Sequence, residues 1–168
     1  MTTLTWSDQL TLQQPQMDAT HEEFVALLAQ TEAALSGNEA DLLTRFDALV
    51  EHTVEHFEQE DRWMLATGFA AENCHTHQHQ GVLSVITECA KRARQDNDFE
   101  PLRIAVEELG SWFPQHALSM DAGLAQHLAE VGFDPVTAKA EIVIADAAPA
   151  LAKVAGCGPV ACTGSASA

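Results

Sequence analysis

The chain has 168 residues, the length of a single domain, and a chain of this size buries about 70% of the surface that its unfolded form exposes. Its 25 acidic and 8 basic residues give a net charge of −17, which repels nucleic acids and anionic lipid surfaces and excludes both as expected partners. No apolar run approaches the roughly 20 residues of a membrane span, and the amino terminus has no basic segment followed by an apolar stretch. We therefore expect a soluble, cytoplasmic and monomeric protein.

Four segments with helical periodicity follow one another, separated by short breaks. Their predicted first residues are all of types favoured at helix starts: Asp18, Glu39, Asn73 and Pro101. The first helix ends before Gly37 and the second ends near Ala66. Because short connections place successive helices antiparallel, the sequence predicts an all-α, up-down-up-down four-helix bundle over residues 1–130.

The chain beyond the predicted bundle divides into two parts. Asp134, which is followed by proline, is a residue type that caps helices, and it predicts a short extra C-terminal helix within residues 131–150 that packs on or trails the bundle. Residues 151–168 are small, polar and rich in Gly, Pro and Ser, which predicts a flexible tail. Cys157 and Cys162 in this tail are interpreted as incidental thiols rather than as a disulfide or a metal site.

The second predicted helix carries a histidine and a glutamate on its apolar side. The positions that step by three or four residues along this side are Leu42, Phe46, Leu49, Thr53, His56, Glu60 and Met64. A buried carboxylate without a partner costs several kcal/mol, so Glu60 one turn after a buried His56 requires a positive partner. A metal ion is the best candidate for that partner.

Each of the four helices turns at least one imidazole toward the core. The inward histidines are His21, His56, His75, His79 and His116. A single one would be an ordinary core residue, but five unsatisfied imidazoles would cost about 1 to 3 kcal/mol each, which rivals the roughly 5 to 15 kcal/mol of total stability. Shared coordination of metal removes this cost, because each imidazole gives one nitrogen to the metal and donates its other N–H. We predict that His77 lies on the surface and that His52 is partly exposed, and we assign nothing to His127.

Four short motifs that contain these residues occur in a fixed order along the chain. They are D-x-x-H at Asp18–His21, H-F-x-x-E at His56–Glu60, H-x-x-x-H at His75–His79 and H-x-x-x-x-D at His116–Asp121. Together they resemble the hemerythrin family, specifically its bacterial members. The resemblance extends over about residues 6–128 and leaves the last forty residues unaccounted for.

The resemblance implies a non-haem centre of two iron ions, Fe2+ or Fe3+, joined by an oxo or hydroxo bridge. By position in the motifs, one iron would be held by His75, His79 and His116, the other by His21 and His56, and both would be bridged by Glu60 and Asp121. The second iron has one ligand fewer, and this open position is where the family binds dioxygen. Apolar neighbours that would form the ligand pocket are Phe57, Met64, Trp112 and Phe113.

The residue types of this centre favour binding over turnover. Five neutral imidazoles and two carboxylates leave less negative charge on the metals than carboxylate-rich di-iron sites do, which favours the ferrous state. We therefore expect reversible binding of dioxygen, for its carriage, storage or delivery, and no enzymatic activity. Two alternatives remain open. One is a di-iron enzyme or iron-handling protein that acts on peroxide or nitric oxide or repairs iron centres, and the other is a bundle that holds zinc or another divalent ion structurally.

Three features of the fourth helix depart from a regular helix or from the family. Pro114 removes the backbone hydrogen bond to Gly110 and is expected to kink the helix. The five-residue spacing from His116 to Asp121 exceeds a turn of 3.6 residues and requires a local distortion. Phe113 stands where relatives usually have leucine, and its larger ring is predicted to narrow access to the open iron.

Overall fold

Four long helices and one short helix make up most of the computed structural model, which describes residues 4–69 and 74–140 apart from the side chain of Ala140. The helices are α1 (Pro15–Ala34), α2 (Glu39–Thr67), α3 (Cys74–Asp96), α4 (Glu100–His116) and α5 (Ala122–Glu130), with one π-helical turn (Ala117–Asp121) between the last two. A 3-10 turn (Asp8–Leu10) precedes them. Since α1 packs against α2 and α4, and α3 packs against the same two helices, the predicted all-α four-helix bundle is confirmed.

The start of α1 differs from the prediction. The helix begins at Pro15, because the side chain of Gln14 accepts a hydrogen bond from the backbone N–H of Met17 at 2.6 Å and caps it there. Asp18 lies inside the first turn, where its carboxylate accepts from the backbone N–H of Leu12 at 2.7 Å. Asp18 therefore ties the preceding segment to the helix instead of starting the helix.

The other predicted helix starts agree with the structure more closely. The side chain of Asn38 caps α2 by accepting from the backbone N–H of Asp41 at 2.9 Å, so this helix begins at Glu39 as predicted. The fourth helix begins at Glu100, one residue before the predicted Pro101. The predicted start of the third helix, Asn73, lies outside the described residues.

The apolar core consists of two clusters. The larger one is built around Phe24, Leu28, Leu42, Phe46, Leu49, Leu102, Val106 and Phe113. The smaller one contains Met17, Trp63, Met64, Leu124, Ala125, Leu128, Val131 and Phe133. On α1 and on α2, the residues between the two clusters include buried polar side chains, and the π turn leads from one cluster to the other. A buried polar layer therefore crosses the bundle near one end.

The fourth helix continues through Pro114 to His116 and then widens into the π turn. A π turn closes its hydrogen bonds over five residues instead of four. It therefore places residues five apart on one face, and the Nε2 of His116 lies 3.1 Å from Oδ1 of Asp121. The predicted distortion is confirmed, and it takes the form of this turn.

The segment after α5 is a small hairpin, in which β1 (Phe133–Asp134) pairs antiparallel with β2 (Lys139–Ala140). The predicted helix that starts at Asp134 is therefore wrong for the described part of residues 131–150. The carboxylate of Asp134 accepts from the backbone N–H of Val136 at 2.9 Å and from the hydroxyl of Thr137 at 2.7 Å, and Ala138 at φ 54° reverses the chain. Residues 141–168, including the predicted tail with both of its cysteines, lie outside the described residues.

Among the helices that the structure describes, none is both long and apolar enough to cross a membrane.

Candidate metal centre

All seven predicted metal ligands lie in the buried polar layer. They are His21, His56, Glu60, His75, His79, His116 and Asp121, and none is more than 4% exposed. Their side-chain atoms form two overlapping groups, each with its ligand atoms within 4.8 Å of one another. We call them the three-histidine group, with His75, His79 and His116, and the two-histidine group, with His21 and His56. Glu60 and Asp121 belong to both groups, as the resemblance implied.

Helical spacing explains how the second and third helices contribute to the site. His56 and Glu60 are one turn apart on α2, so both side chains point to the same side. The same spacing places His75 and His79 together on α3. Because α2 and α3 pack against each other, the two pairs meet at the same level of the bundle.

Glu60 lies between the two groups and directs one carboxylate oxygen to each. Its Oε1 is 3.1 Å from Nε2 of His56 and 3.9 Å from Nε2 of His21. Its Oε2 is 3.2 Å from Nε2 of His75 and 3.3 Å from Nε2 of His79. This is the arrangement of a carboxylate that bridges two metal ions.

Asp121 repeats this arrangement from the other side of the layer. Its Oδ2 is 3.1 Å from Nε2 of His21, in the two-histidine group. Its Oδ1 is 2.9 Å from Nε2 of His75 and 3.1 Å from Nε2 of His116, in the three-histidine group. Both carboxylates therefore separate their two oxygens between the same two groups of imidazoles.

The inward-facing atoms of this layer fit a metal site better than a hydrogen-bonded core. Buried atoms without a hydrogen-bond partner among the described residues include Nε2 of His21, His75, His79 and His116, Oε2 of Glu60 and both oxygens of Asp121. Short contacts between these atoms exist, but their directions do not suit hydrogen bonds. No Lys or Arg of the described residues forms an ion pair with either carboxylate. Metal ions would satisfy the lone pairs of the imidazoles and the charges of the carboxylates together.

The electrostatics of the layer favour ionised carboxylates. Burial raises the pKa of Asp121, but its contacts with His116, His21 and His75 outweigh burial and hold the pKa well below its ordinary value. Burial and the charge of Asp121 raise the pKa of Glu60, and the neighbouring histidines again outweigh these effects and lower it. Both bridging groups are therefore in the charged form that a metal requires.

One histidine holds a proton that a metal would have to displace. Burial lowers the pKa of His75, but the oxygens of Asp121 and Glu60 near its Nε2 outweigh burial and raise the pKa to about 9. Metal binding at neutral pH therefore releases a proton from this imidazole.

Two residues outside the predicted set hold the outer ring nitrogens of the three-histidine group. The Nδ1–H of His79 donates to Oδ1 of Asp61 at 3.2 Å, and the Nδ1–H of His116 donates to Oε1 of Gln78 at 2.9 Å. These bonds fix the tautomer that leaves Nε2 free for a metal. Sequence reasoning missed both residues, although each directly neighbours a predicted ligand in the chain.

Three of the four predicted pocket residues pack against imidazoles of the two metal groups. Phe57 stacks on His79 with a centroid distance of 3.9 Å and an angle of 4°, and Trp112 stacks on His116 at 4.4 Å. In the two-histidine group, Phe113 meets His21 edge-on at 5.2 Å and Phe57 lies 5.3 Å from His56. The fourth residue, Met64, is buried in the smaller apolar cluster.

A narrow void beside the two-histidine group has walls that sequence reasoning did not identify. It is too narrow for a water molecule and is lined, next to His56 and Glu60, by Met17, Thr20, Gln59 and Trp63. The signal for Met17 and Trp63 was present in the sequence, since each lies one turn along its helix from a predicted ligand.

The remaining histidines lie outside the layer. His77 is exposed and His52 is half-buried, so both predictions are confirmed. His52 donates from Nε2 to the backbone carbonyl of Thr20 at 3.1 Å, and His127 donates to the carbonyl of Thr67 at 3.2 Å. These two imidazoles link helices to one another and do not face the metal groups.

Comparisons with known proteins agree with this geometry. Residues 14–128 match the family model described as the hemerythrin HHE cation binding domain. A bacteriohemerythrin of Ralstonia nicotianae is 37% identical to this chain over 134 residues, an alignment that covers 80% of this chain and 95% of that protein.

Proposed function

Because the chain belongs to the hemerythrin family, we propose that it is a di-iron protein that binds dioxygen reversibly, for carriage, storage or delivery, and that it is not an enzyme. The observation that carries this proposal is the inequality of the two groups. Three imidazoles and two shared carboxylates face one metal position, whereas two imidazoles and the same carboxylates face the other. The metal position of the two-histidine group therefore has one protein ligand fewer, which leaves one coordination position open to a small exogenous ligand.

The donor set supports iron without selecting it by itself. Imidazole and carboxylate ligands suit several divalent metals, including zinc, and the family relationship is what favours iron. Iron in this layer would supply the electrons that dioxygen binding requires. The preponderance of neutral imidazoles over carboxylates disfavours further oxidation of the metals, which supports binding rather than turnover.

The apolar side chains around the two-histidine group exclude water from it. The ring of Phe113 covers one side of His21, and the neighbouring void between Met17 and Trp63 is too narrow for water. With iron bound, water or anions that entered the site would promote its irreversible oxidation, because they would displace the oxygen in reduced form, as superoxide or peroxide, and leave the metals oxidised. The packing of these side chains therefore favours release of the ligand as dioxygen.

The test is to purify the protein from iron-replete cells, measure its metals, and cycle the reduced protein between dioxygen and vacuum. We expect two irons per chain and absorption bands that appear on oxygenation and disappear under vacuum through repeated cycles. One metal per chain, or zinc in both positions, would contradict the di-iron assignment. Irreversible oxidation in the first cycle, combined with consumption of peroxide or nitric oxide, would support the enzyme alternative instead.

A further inference from the structure

The three-histidine group has two outer hydrogen bonds, 3.2 and 2.9 Å long, whose acceptors differ in charge. The acceptor for His79 is the carboxylate of Asp61, whereas the acceptor for His116 is the neutral amide of Gln78. Both imidazoles use Nδ1 as the donor, and both are 1% exposed. One metal position therefore has one imidazole bonded to a charged acceptor and one bonded to a neutral acceptor, so that the effects of the two acceptors can be compared directly.

Asp61 is placed to act on His79 alone. Its side chain is 41% exposed, and His79 is its sole ion-pair partner among the residues that the structure describes. The adjacent Arg62 pairs with Glu58 on the exposed side of the same helix, at 3.7 Å. The negative charge of Asp61 therefore reaches the buried layer through the imidazole, although solvent screens part of it.

A charged acceptor changes the imidazole more than a neutral one does. A carboxylate draws the Nδ1 proton toward itself and makes the opposite nitrogen a stronger electron donor, and hydrogen bonds to charged groups are about twice as strong as neutral ones. A stronger donor stabilises the more highly charged state of a metal. The amide on His116 exerts this effect only weakly.

We propose that Asp61 is a positioning residue that raises the affinity of the three-histidine group for oxidised metal through His79, and that Gln78 is its neutral counterpart on His116. The proposal rests on the proposed di-iron function. Asp61 would give the two metal positions different preferences for the ferric state, because among the described residues no carboxylate accepts from the outer nitrogens of His21 and His56.

Two variants that exchange charge but keep a hydrogen-bond acceptor test this proposal in the full iron-loaded protein. In Asp61→Asn the ratio of ferric to ferrous affinity should fall about tenfold, which raises the midpoint potential by about 59 mV for one electron. In Gln78→Glu the potential should move in the opposite direction. The double variant should return close to the parent, since it transfers the carboxylate from one imidazole to the other.

A purely structural role for Asp61 predicts a different outcome. Because asparagine retains the acceptor oxygen, the midpoint potential of Asp61→Asn would then equal that of the parent protein. The proposal is overturned if both single variants have the midpoint potential of the parent. Shifts of the same sign in the two variants would overturn it as well.

Zinc binding separates this proposal from the proposed function. Apo-protein loaded with zinc alone should lose metal about tenfold faster in Asp61→Asn than in the parent, because zinc also prefers the stronger donor. If iron fails to bind but this difference is present, the di-iron function is wrong and the role of Asp61 stands. If two irons bind and neither the potential nor the zinc release changes, the role of Asp61 is wrong and the di-iron function stands.

Discussion

Replacing Phe113 by leucine should open the two-histidine group to its surroundings at a moderate cost in stability. The ring is 1% exposed, meets His21 edge-on at 5.2 Å and stacks on Phe24 at 4.5 Å. The smaller side chain should lower the free energy of unfolding by about 1 to 2 kcal/mol through lost volume and by about 0.5 to 1.5 kcal/mol through the lost aromatic pair. A total near 2.5 kcal/mol lowers the melting temperature by roughly 5 to 10 °C for a domain of this size, so the bundle still folds.

The kinetic effect of Phe113→Leu should exceed what a loss of stability alone produces. Space beside His21 should raise the rates of dioxygen binding and release several-fold and should speed the irreversible oxidation of the centre. Stopped-flow oxygenation of the reduced protein measures the first two rates, and the decay of the oxygenated spectrum measures the third. Phe46→Leu is the matched control, because Phe46 is equally buried in the larger cluster. If the two variants have the same three rates, the ring of Phe113 does not control access to the site.

Three further predictions test the metal layer itself. His79→Gln should lose metal from the three-histidine group, whereas His77→Gln on the exposed face of the same helix should retain the parent metal content, and elemental analysis of both variants decides between these outcomes. In the metal-free protein the pKa of His75, about 9, lies above its unfolded value of 6.5, so this histidine stabilises the fold below pH 6.5 and the stabilisation is lost as the pH rises through 9. Denaturant titrations should show a loss of about 2 kcal/mol between pH 7 and 9 without metal, and no such loss with metal bound, because metal binding has already displaced the Nε2 proton of His75. Inserting an alanine after Ser119 should place Asp121 six residues after His116 and turn its side chain by about 100° off the shared face, which should abolish the binding of two metals while circular dichroism still shows a helical protein.

The bundle and six of its inward ligands, the five histidines and Glu60, could be predicted because both depend on periodicity, whereas Asp121 was predicted from the family resemblance. His56 and Glu60 lie in a stripe of apolar residues, and a polar residue that interrupts such a stripe must be buried whatever the details of packing. The five-residue spacing up to Asp121 likewise indicated a distortion before its form was known. Positions along one helix are therefore the reliable part of such a prediction.

The parts that sequence reasoning missed depend on single hydrogen bonds between neighbouring segments. Gln14 and Asp18 are both able to cap a helix, and the choice depends on which backbone N–H each one meets. Asp134 has the residue type of a helix cap, but the turn that it stabilises closes into a hairpin. The contacts of Asp61 and Gln78 cross between helices, so their partners depend on the rotation of each helix about its axis.

The polar layer has a consequence for how the molecule opens. The smaller apolar cluster, which holds α5 and the hairpin against the ends of α1 and α2, is joined to the rest of the core through a plane of charged and polar side chains. Without metal, the two carboxylates of this plane repel each other, and Asp121 stands at the start of the segment that would swing away. The amides of α5 should then exchange with solvent hydrogen faster than those of the larger cluster, as a separate opening unit. Such local opening would give metal a route into the buried layer, and metal bound by ligands from both sides of the layer would hold that end of the bundle closed.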